Sequence, residues 1–244
     1  MLSLHTPRSV FSLRHAPSWL LLACSAGSVN AIAFMACSRF VTHVTGTVSR
    51  IGIDSGTIAL DYALVLGCFI LGAMSSATLI EVRYHRRQQP LYAMPLAMVA
   101  AILALLALTG SAGLFGKFGG SVEDPHDFVF LAIVAFAMGL QNAAVATSTG
   151  MLVRTTHMTG PATDLGVHLA TALHSKGEPR RVALQNAALR AGKITAFTVG
   201  AAAGAALAGT FGYGALLAPA LVIAAATALS FVRVPSLQPG ELAR

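Results

Sequence analysis

The chain has 244 residues, of which 55% are hydrophobic and only 10% charged, and its mean hydropathy is +0.72. That balance excludes an ordinary soluble globular domain and puts the chain in a bilayer. A net charge of +7 would point a soluble protein toward nucleic acid, but here the placement of the charges matters more than their sum, and nucleic acid is not an expected partner.

Residues 1–15 read as a cytoplasmic amino-terminal segment. Arg8, Arg14 and His15 precede Trp19-Leu20-Leu21-Leu22-Ala23-Cys24, which looks superficially like a signal peptide. The apolar run continues through Val29, Ile32, Phe34 and Met35, so it is long enough to be the first span itself. Crossing about 30 Å of hydrocarbon takes roughly 20 residues. Apolar runs of that order fall at 17–38, 57–80, 93–113, 127–148, 192–211 and 213–232, which predicts six spans. Arg83, Arg86, Arg87 and Pro90 mark an inner turn between the second and third, and Gly212-Tyr213-Gly214 is so short a link that the last two must form a tight hairpin. Cys24, Cys37 and Cys68 sit in apolar segments without CxxC spacing and read as small packing residues, not as disulfide or zinc ligands.

With the amino terminus inside, thirteen of the sixteen basic residues fall in cytoplasmic segments: Arg8, Arg14, Arg83, Arg86, Arg87, Arg154, Lys176, Arg180, Arg181, Arg190, Lys193, Arg233 and Arg244. Arg39, Arg50 and Lys117 fall outside, as does the acidic run Glu123-Asp124-Pro125-His126-Asp127. This is the asymmetry of the positive-inside rule, and it predicts both termini in the cytoplasm.

One polar motif occurs twice. His43-Val44-Thr45-Gly46-Thr47-Val48-Ser49-Arg50-Ile51-Gly52 returns as His157-Met158-Thr159-Gly160-Pro161-Ala162-Thr163-Asp164-Leu165-Gly166, identical at four of ten positions. Asn30 precedes the first copy by 13 residues and Asn142 the second by 15, each followed by Ala. Downstream, Phe69-Ile70-Leu71-Gly72 with Ser76 and Leu79 resembles Phe197-Thr198-Val199-Gly200 with Gly204 and Leu207. The order span, motif, span, span thus repeats as residues 16–120 and 121–244. An odd number of spans per unit gives the copies opposite orientation, so the expected fold is an all-α polytopic membrane protein, a 3+3 inverted-topology repeat with a short broken or re-entrant helix after spans one and four. The small residues four apart, Gly72 with Ser76 and Gly200 with Gly204, are best explained by close helix packing.

Asn30-Ala31 with Thr42-His43-Val44-Thr45-Gly46, then Met138-Gly139-Leu140-Gln141-Asn142-Ala143 and Thr156-His157-Met158-Thr159-Gly160, resemble the YoaK-like family of uncharacterised bacterial inner-membrane proteins over essentially the whole chain. Thr47 stands where that pattern commonly has Asn after the first Thr-Gly. The resemblance implies a multi-pass protein of the bacterial inner membrane and supplies no substrate or activity.

Gly160-Pro161 reads as a helix start, since proline suits the first helical position, with Thr159 or Gly160 as the cap. The segment from Thr163 to His174 has Leu165, Leu169, Ala172 and Leu173 on one face and Asp164, His168 and Thr171 largely on another, and is too short to span. A break of this kind at membrane depth needs protein or water around its open backbone groups, so it predicts a polar pocket. The candidate solute-binding residues are Asn30, His43, Thr45, Gly46 and Arg50 from the first copy and Asn142, His157, Thr159, Gly160 and Asp164 from the second. Arg50 and Asp164, at matching positions, can pair across the pseudo-axis or divide recognition between them. Asp61, an acid near the outer start of span two, is the candidate for ion coupling. Each has a plainer reading beside it: interfacial histidines, helix caps, amides bonding between helices, a hydrated interfacial acid.

His5, His15, His85, His126, His168 and His174 show no metal-ligand spacing, and no Walker loop, GxSxG elbow or dinucleotide fingerprint occurs. No catalytic residue, metal or cofactor is therefore assigned, and ATP-driven transport by this chain alone is disfavoured. The expected function is a small secondary transporter or permease for a small polar or anionic solute. The alternatives are an intramembrane enzyme or a membrane-embedded accessory or assembly subunit. Expected partners are membrane lipids and a small solute, with association into a homo-oligomer left open.

Overall fold

The computed structural model describes residues 15–86, 88, 90–119, 125–151 and 153–231. Arg8, Arg14, Arg87, Glu123, Asp124, Arg233 and Arg244, used above for topology, lie outside the described residues. What is described is all helix and turn: α1 (Ala16–Cys37), α2 (Val44–Ile53), α3 (Thr57–His85), α4 (Ala93–Ser111), α5 (Pro125–Ser148), α6 (Thr159–His174), α7 (Gly177–Phe211), a 3₁₀ turn (Gly212–Leu216) and α8 (Leu217–Ser230).

Five stretches among the described residues are long and apolar enough to cross a membrane: Ala16–Cys37, Thr57–Arg83, Ala93–Ser111, Asp127–Ser148 and the run Gly177–Ser230. The chain is an integral, multi-pass membrane protein. The expected sixth span does not stand as a separate long helix. Gly212, with φ of 53°, interrupts the last run, and α8 has only 14 residues, about 21 Å at 1.5 Å per residue. In the other direction, α7 is longer than the expected 192–211. Its 35 residues begin with a polar stretch carrying the exposed Glu178–Arg181 ion pair at 2.9 Å.

The helices pack in a crossed pattern that glycine makes possible. Gly27 of α1 lies against the Phe197 carbonyl of α7, where an added Cβ would sit 2.9 Å from the carbonyl carbon and 3.1 Å from Ala201 N. Gly139 of α5 lies in the same way against the Phe69 carbonyl of α3, with 2.9 Å to its carbon and 3.0 Å to Ala73 N. Gly200 and Gly204 of α7 return the contact onto Cys24 and Ser28 of α1, and Gly72 of α3 onto Phe136 and Leu140 of α5. Backbones this close gain dispersion that bulkier residues would prevent, which is how helices associate where lipid offers no hydrophobic drive. The long helices of the first half therefore pack on those of the second: α1 on α7, and α3 on α5.

Leu20 lies beside Gly192 and Ser28 beside Gly204, so α1 and α7 run parallel. At the end of α8, Ser230 Oγ comes back to the start of α1, 2.6 Å from Ser18 Oγ and 3.1 Å from His15 Nδ1, and Phe231 meets Trp19 edge to face at 5.5 Å. The chain thus reverses through the Gly212–Leu216 turn. At the opposite end Tyr213 packs among Phe115, Phe118 and Phe130 and donates its hydroxyl proton to the Phe115 carbonyl at 3.2 Å. Leu60, Leu64, Leu71 and Met74 of α3 and Leu105 and Leu108 of α4 are exposed, an apolar exterior suited to lipid.

Candidate functional site

The chain leaves α1 at Ser38 in the left-handed region (φ 52°) and leaves α5 through Gly150 and Met151 (φ 59° and 67°). Both segments then turn back into the bundle. Thr42 N–H donates to Asn30 Oδ1 at 3.1 Å, and Thr156 N–H donates to Asn142 Oδ1 at 3.4 Å. Asn30 lies seven residues before the end of α1 and Asn142 six before the end of α5, so each amide holds its loop roughly 10 Å below the helix end. Asn30 is buried and Asn142 half-buried, and each spares the N–H of a buried threonine from going unsatisfied.

Next come the two histidines. The imidazole of His43 lies over Gly46, so closely that a Cβ there would sit 2.6 Å from Nε2 and closer still to Cδ2. The imidazole of His157 lies over Gly160, whose N–H donates to Nε2 at 3.0 Å. Nε2 is thus the acceptor of this bond. The cap of α6 differs from the expected Thr159 or Gly160: Met158 is the cap position without a side-chain bond, Thr159 is already the first helical residue, and His157 satisfies one of the open N–H groups. The glycine of the motif is thus the clearance that lets an imidazole fold over the first turn. The Lys193 ammonium donates to the His157 carbonyl at 2.9 Å, which ties the second motif to α7.

Both motifs open onto one cavity of about 410 Å³. Its walls take Asn30, Thr42, His43 and Thr45 from the first half and Asn142, Thr156, His157 and Thr159 from the second, closed by Phe69 and Phe197. Phe40 and Arg154 face it from matching places, three residues before each histidine. Of the ten expected binding residues, six line this cavity. Gly46 supports it from beneath His43, and Gly160 lines an adjoining cavity of about 340 Å³ with Trp19, Arg154, His157, Asp164, Arg190 and Lys193.

Arg50 and Asp164 do not meet. Arg50 Nε lies 2.8 Å from Asp54 Oδ2 within α2, and its guanidinium sits 5.6 Å from the ring centre of Tyr62 on α3. Asp164 Oδ2 lies 3.5 Å from Arg190 Nε on α7. Tyr62 and Arg190 stand at matching places, seven residues before Phe69 and Phe197. One inter-helix contact is therefore made twice with different chemistry, a cation over an aromatic ring in the first half and an ion pair in the second. Asp61 is partly exposed near the start of α3 and lines neither cavity.

Sequence reasoning missed Arg154, Arg190 and Lys193 as site residues, treating them as topology signals, and passed over Trp19, Phe40 and Gln141. Gln141, fully buried, donates from Nε2 to the Leu22 carbonyl at 3.0 Å and to Thr155 Oγ1 at 3.3 Å, joining α5 to α1 behind the cavity. The readable signal was positional, since Arg154, Arg190 and Lys193 replace Phe40, Tyr62 and Val65 at matching places in the duplicated pattern. The large cavity is lined by two histidines without a carboxylate or cysteine, and no cluster of metal-type ligands forms among the described residues.

Comparison with curated proteins and with solved structures finds no match. A family model matches residues 18–229, which spans α1 through α8 and both cavities. The chain belongs to the family described as "Protein of unknown function (DUF1275)".

Proposed function

We propose that the protein is a small secondary transporter or permease of a bacterial inner membrane that carries a small polar or anionic solute through the cavity shared by the two His-x-Thr-Gly motifs. The observation that carries this reading is the convergence of Asn, Thr and His pairs from both halves on a single cavity of about 410 Å³. A site built from two matching elements at a repeat interface, each a break in the helical run, is the arrangement that lets one half rock against the other around a fixed ligand.

The architecture of this reading is a six-span 3+3 inverted repeat, residues 16–120 and 121–244, with both termini in the cytoplasm. The reciprocal contacts Gly27 to Phe197 and Gly139 to Phe69, and the matched bonds from Asn30 and Asn142, support two equivalent halves. The reversal of direction through Gly212–Leu216 and the return of Ser230 to Ser18 at the start of α1 support a sixth crossing, made by α8 with about 21 Å of helix. An enzyme acting within the membrane would call for an acid beside the two histidines, which the cavity lining does not supply, and a packed accessory subunit would have no cavity at the junction of the halves.

The test is uptake by the purified protein in liposomes, under imposed proton and sodium gradients, across a panel of small organic acids, amino acids and neutral polar metabolites. Saturable uptake of at least one solute, reduced tenfold or more by His43→Ala and by His157→Ala, is expected. Failure to move any member of the panel under either gradient overturns the reading.

A further inference from the structure

The second cavity is charged on one side of the pseudo-symmetry and not on the other. Arg154, Arg190 and Lys193 line it together with a single carboxylate, Asp164. Asp164 is taken up by Arg190 at 3.5 Å, and Arg190 is held from behind by Asn186 Oδ1 at 3.3 Å. Arg154 has no carboxylate partner among the described residues, and Lys193 spends its hydrogen bond on the neutral His157 carbonyl. A cavity of about 340 Å³ thus holds three cations against one carboxylate, beside the Trp19 ring. At matching places the first half has Phe40, Tyr62 and Val65, and Phe40 there stacks on Phe34 at 4.4 Å.

A topology signal needs only that basic residues stand on the cytoplasmic side, as Arg83 and Arg86 do at the end of α3 without lining either cavity. It does not need three of them to converge on one hollow, where like charges repel and the half-buried Arg190 and Lys193 give up part of their hydration. Convergence of this kind is repaid by an anion. Arg154 and His157 also line the larger cavity, so the charged hollow adjoins the motif site.

We infer that the cavity between Arg154, Arg190 and Lys193 is a vestibule that binds an oxyanion, a carboxylate or phosphate group, and hands it to the cavity between the two motifs. The hand-over rests on the transporter reading; the binding does not. A planar guanidinium and an ammonium on facing walls match the oxygens of such a group, and the ion-paired Arg190 keeps the wall rigid. The group can belong to a free solute or to an anionic lipid headgroup, since both present the same chemistry.

Trp19 is the chain's single tryptophan and lines the vestibule, so its emission reports occupancy without a label. The purified protein in phosphatidylcholine nanodiscs is titrated with inorganic phosphate, succinate and glucose at constant ionic strength, and again in discs with rising phosphatidylglycerol. Expected is a saturable change with phosphate or succinate and none with glucose, at least tenfold weaker in Arg154→Gln and in Lys193→Gln, retained in Lys193→Arg and unaffected in Arg86→Gln. A response to phosphatidylglycerol that free phosphate or succinate competes away identifies the lipid headgroup as the source of the same group. A flat response to phosphate, succinate and phosphatidylglycerol, or a response indifferent to Arg154 and Lys193, overturns the vestibule. Because binding is read at equilibrium, anion binding without uptake in liposomes sinks the transporter reading alone, and uptake of a solute without anion binding sinks the vestibule alone.

Discussion

Gly46→Ala and Gly27→Ala add the same methyl group to two helices, and they are expected to fail in different ways. At Gly46 the methyl meets the far end of an imidazole, which can swing out, and alanine favours the helix by about 1 kcal/mol. Stability therefore stays within about 1 kcal/mol while His43 leaves the cavity wall. Modification of His43 by diethyl pyrocarbonate, followed by mass spectrometry, should then rise several-fold; an unchanged rate would mean that the ring does not depend on the glycine. At Gly27, and equally at Gly139, the methyl meets the backbone of the next helix, which cannot move aside. Each of those alanines should cost about 1–3 kcal/mol of packing and lower the melting temperature by several degrees, whereas Gly52→Ala and Gly209→Ala, which lie in helices and face open space, should melt at or slightly above the parent chain. The sequence distinguished glycines in a motif from glycines four apart in a span, but the histidine's role over Gly46 was not readable from it. Spacing along a helix tells which residues share a face, whereas what stands above a missing side chain is a tertiary fact.

Among elements, the two broken segments were legible as short, polar and helix-starting, and their descent into the bundle was not. What draws them down is one amide in each long helix. Asn30→Leu leaves the buried Thr42 N–H without an acceptor, at about 1–3 kcal/mol, and Asn142→Leu does the same at Thr156. With the native Cys24, Cys37 and Cys68 replaced by alanine, Thr45→Cys should react several-fold faster with a soluble thiol reagent once Asn30 is also changed to leucine. Equal rates with and without the amide would show that the loop is held by something else. The pairing of Arg50 with Asp164 failed at this scale for a reason of geometry. Each residue lies on a helix packed against its own neighbour, α2 on α3 and α6 on α7, so Arg50 finds Asp54 beside it and Tyr62 on α3, and Asp164 finds Arg190 on α7, before either can reach across. The apolar residues of α6 were placed on one face by period alone, and Leu169 and Leu173 prove exposed, Leu173 at 82%, while Ala172 is buried. A helix at a membrane boundary buries its apolar face in lipid instead of protein, which periodicity cannot distinguish.

For the whole molecule, class and helix positions were open to reading because length and apolarity are nearly the only requirements for a span. The end of the chain was less so: the turn at Gly212-Tyr213-Gly214 was readable, but a helix of only 14 residues after it was not, because the apolar run continues without a break in composition. Reporter fusions separate the outcomes: a cytoplasmic signal from both the amino and the carboxyl terminus fits six crossings, and opposite signals would mean five. The crossed packing carries a further demand, this one on synthesis. Gly27 of α1 and Gly72 of α3 have their partners on helices made later. A ribosome that has delivered only the first four helices has therefore placed in the membrane two grooves with nothing in them. The insertion machinery has to shelter those grooves until α5 and α7 arrive, and the two halves, expressed as separate chains, should accumulate only when both are present in the same cell.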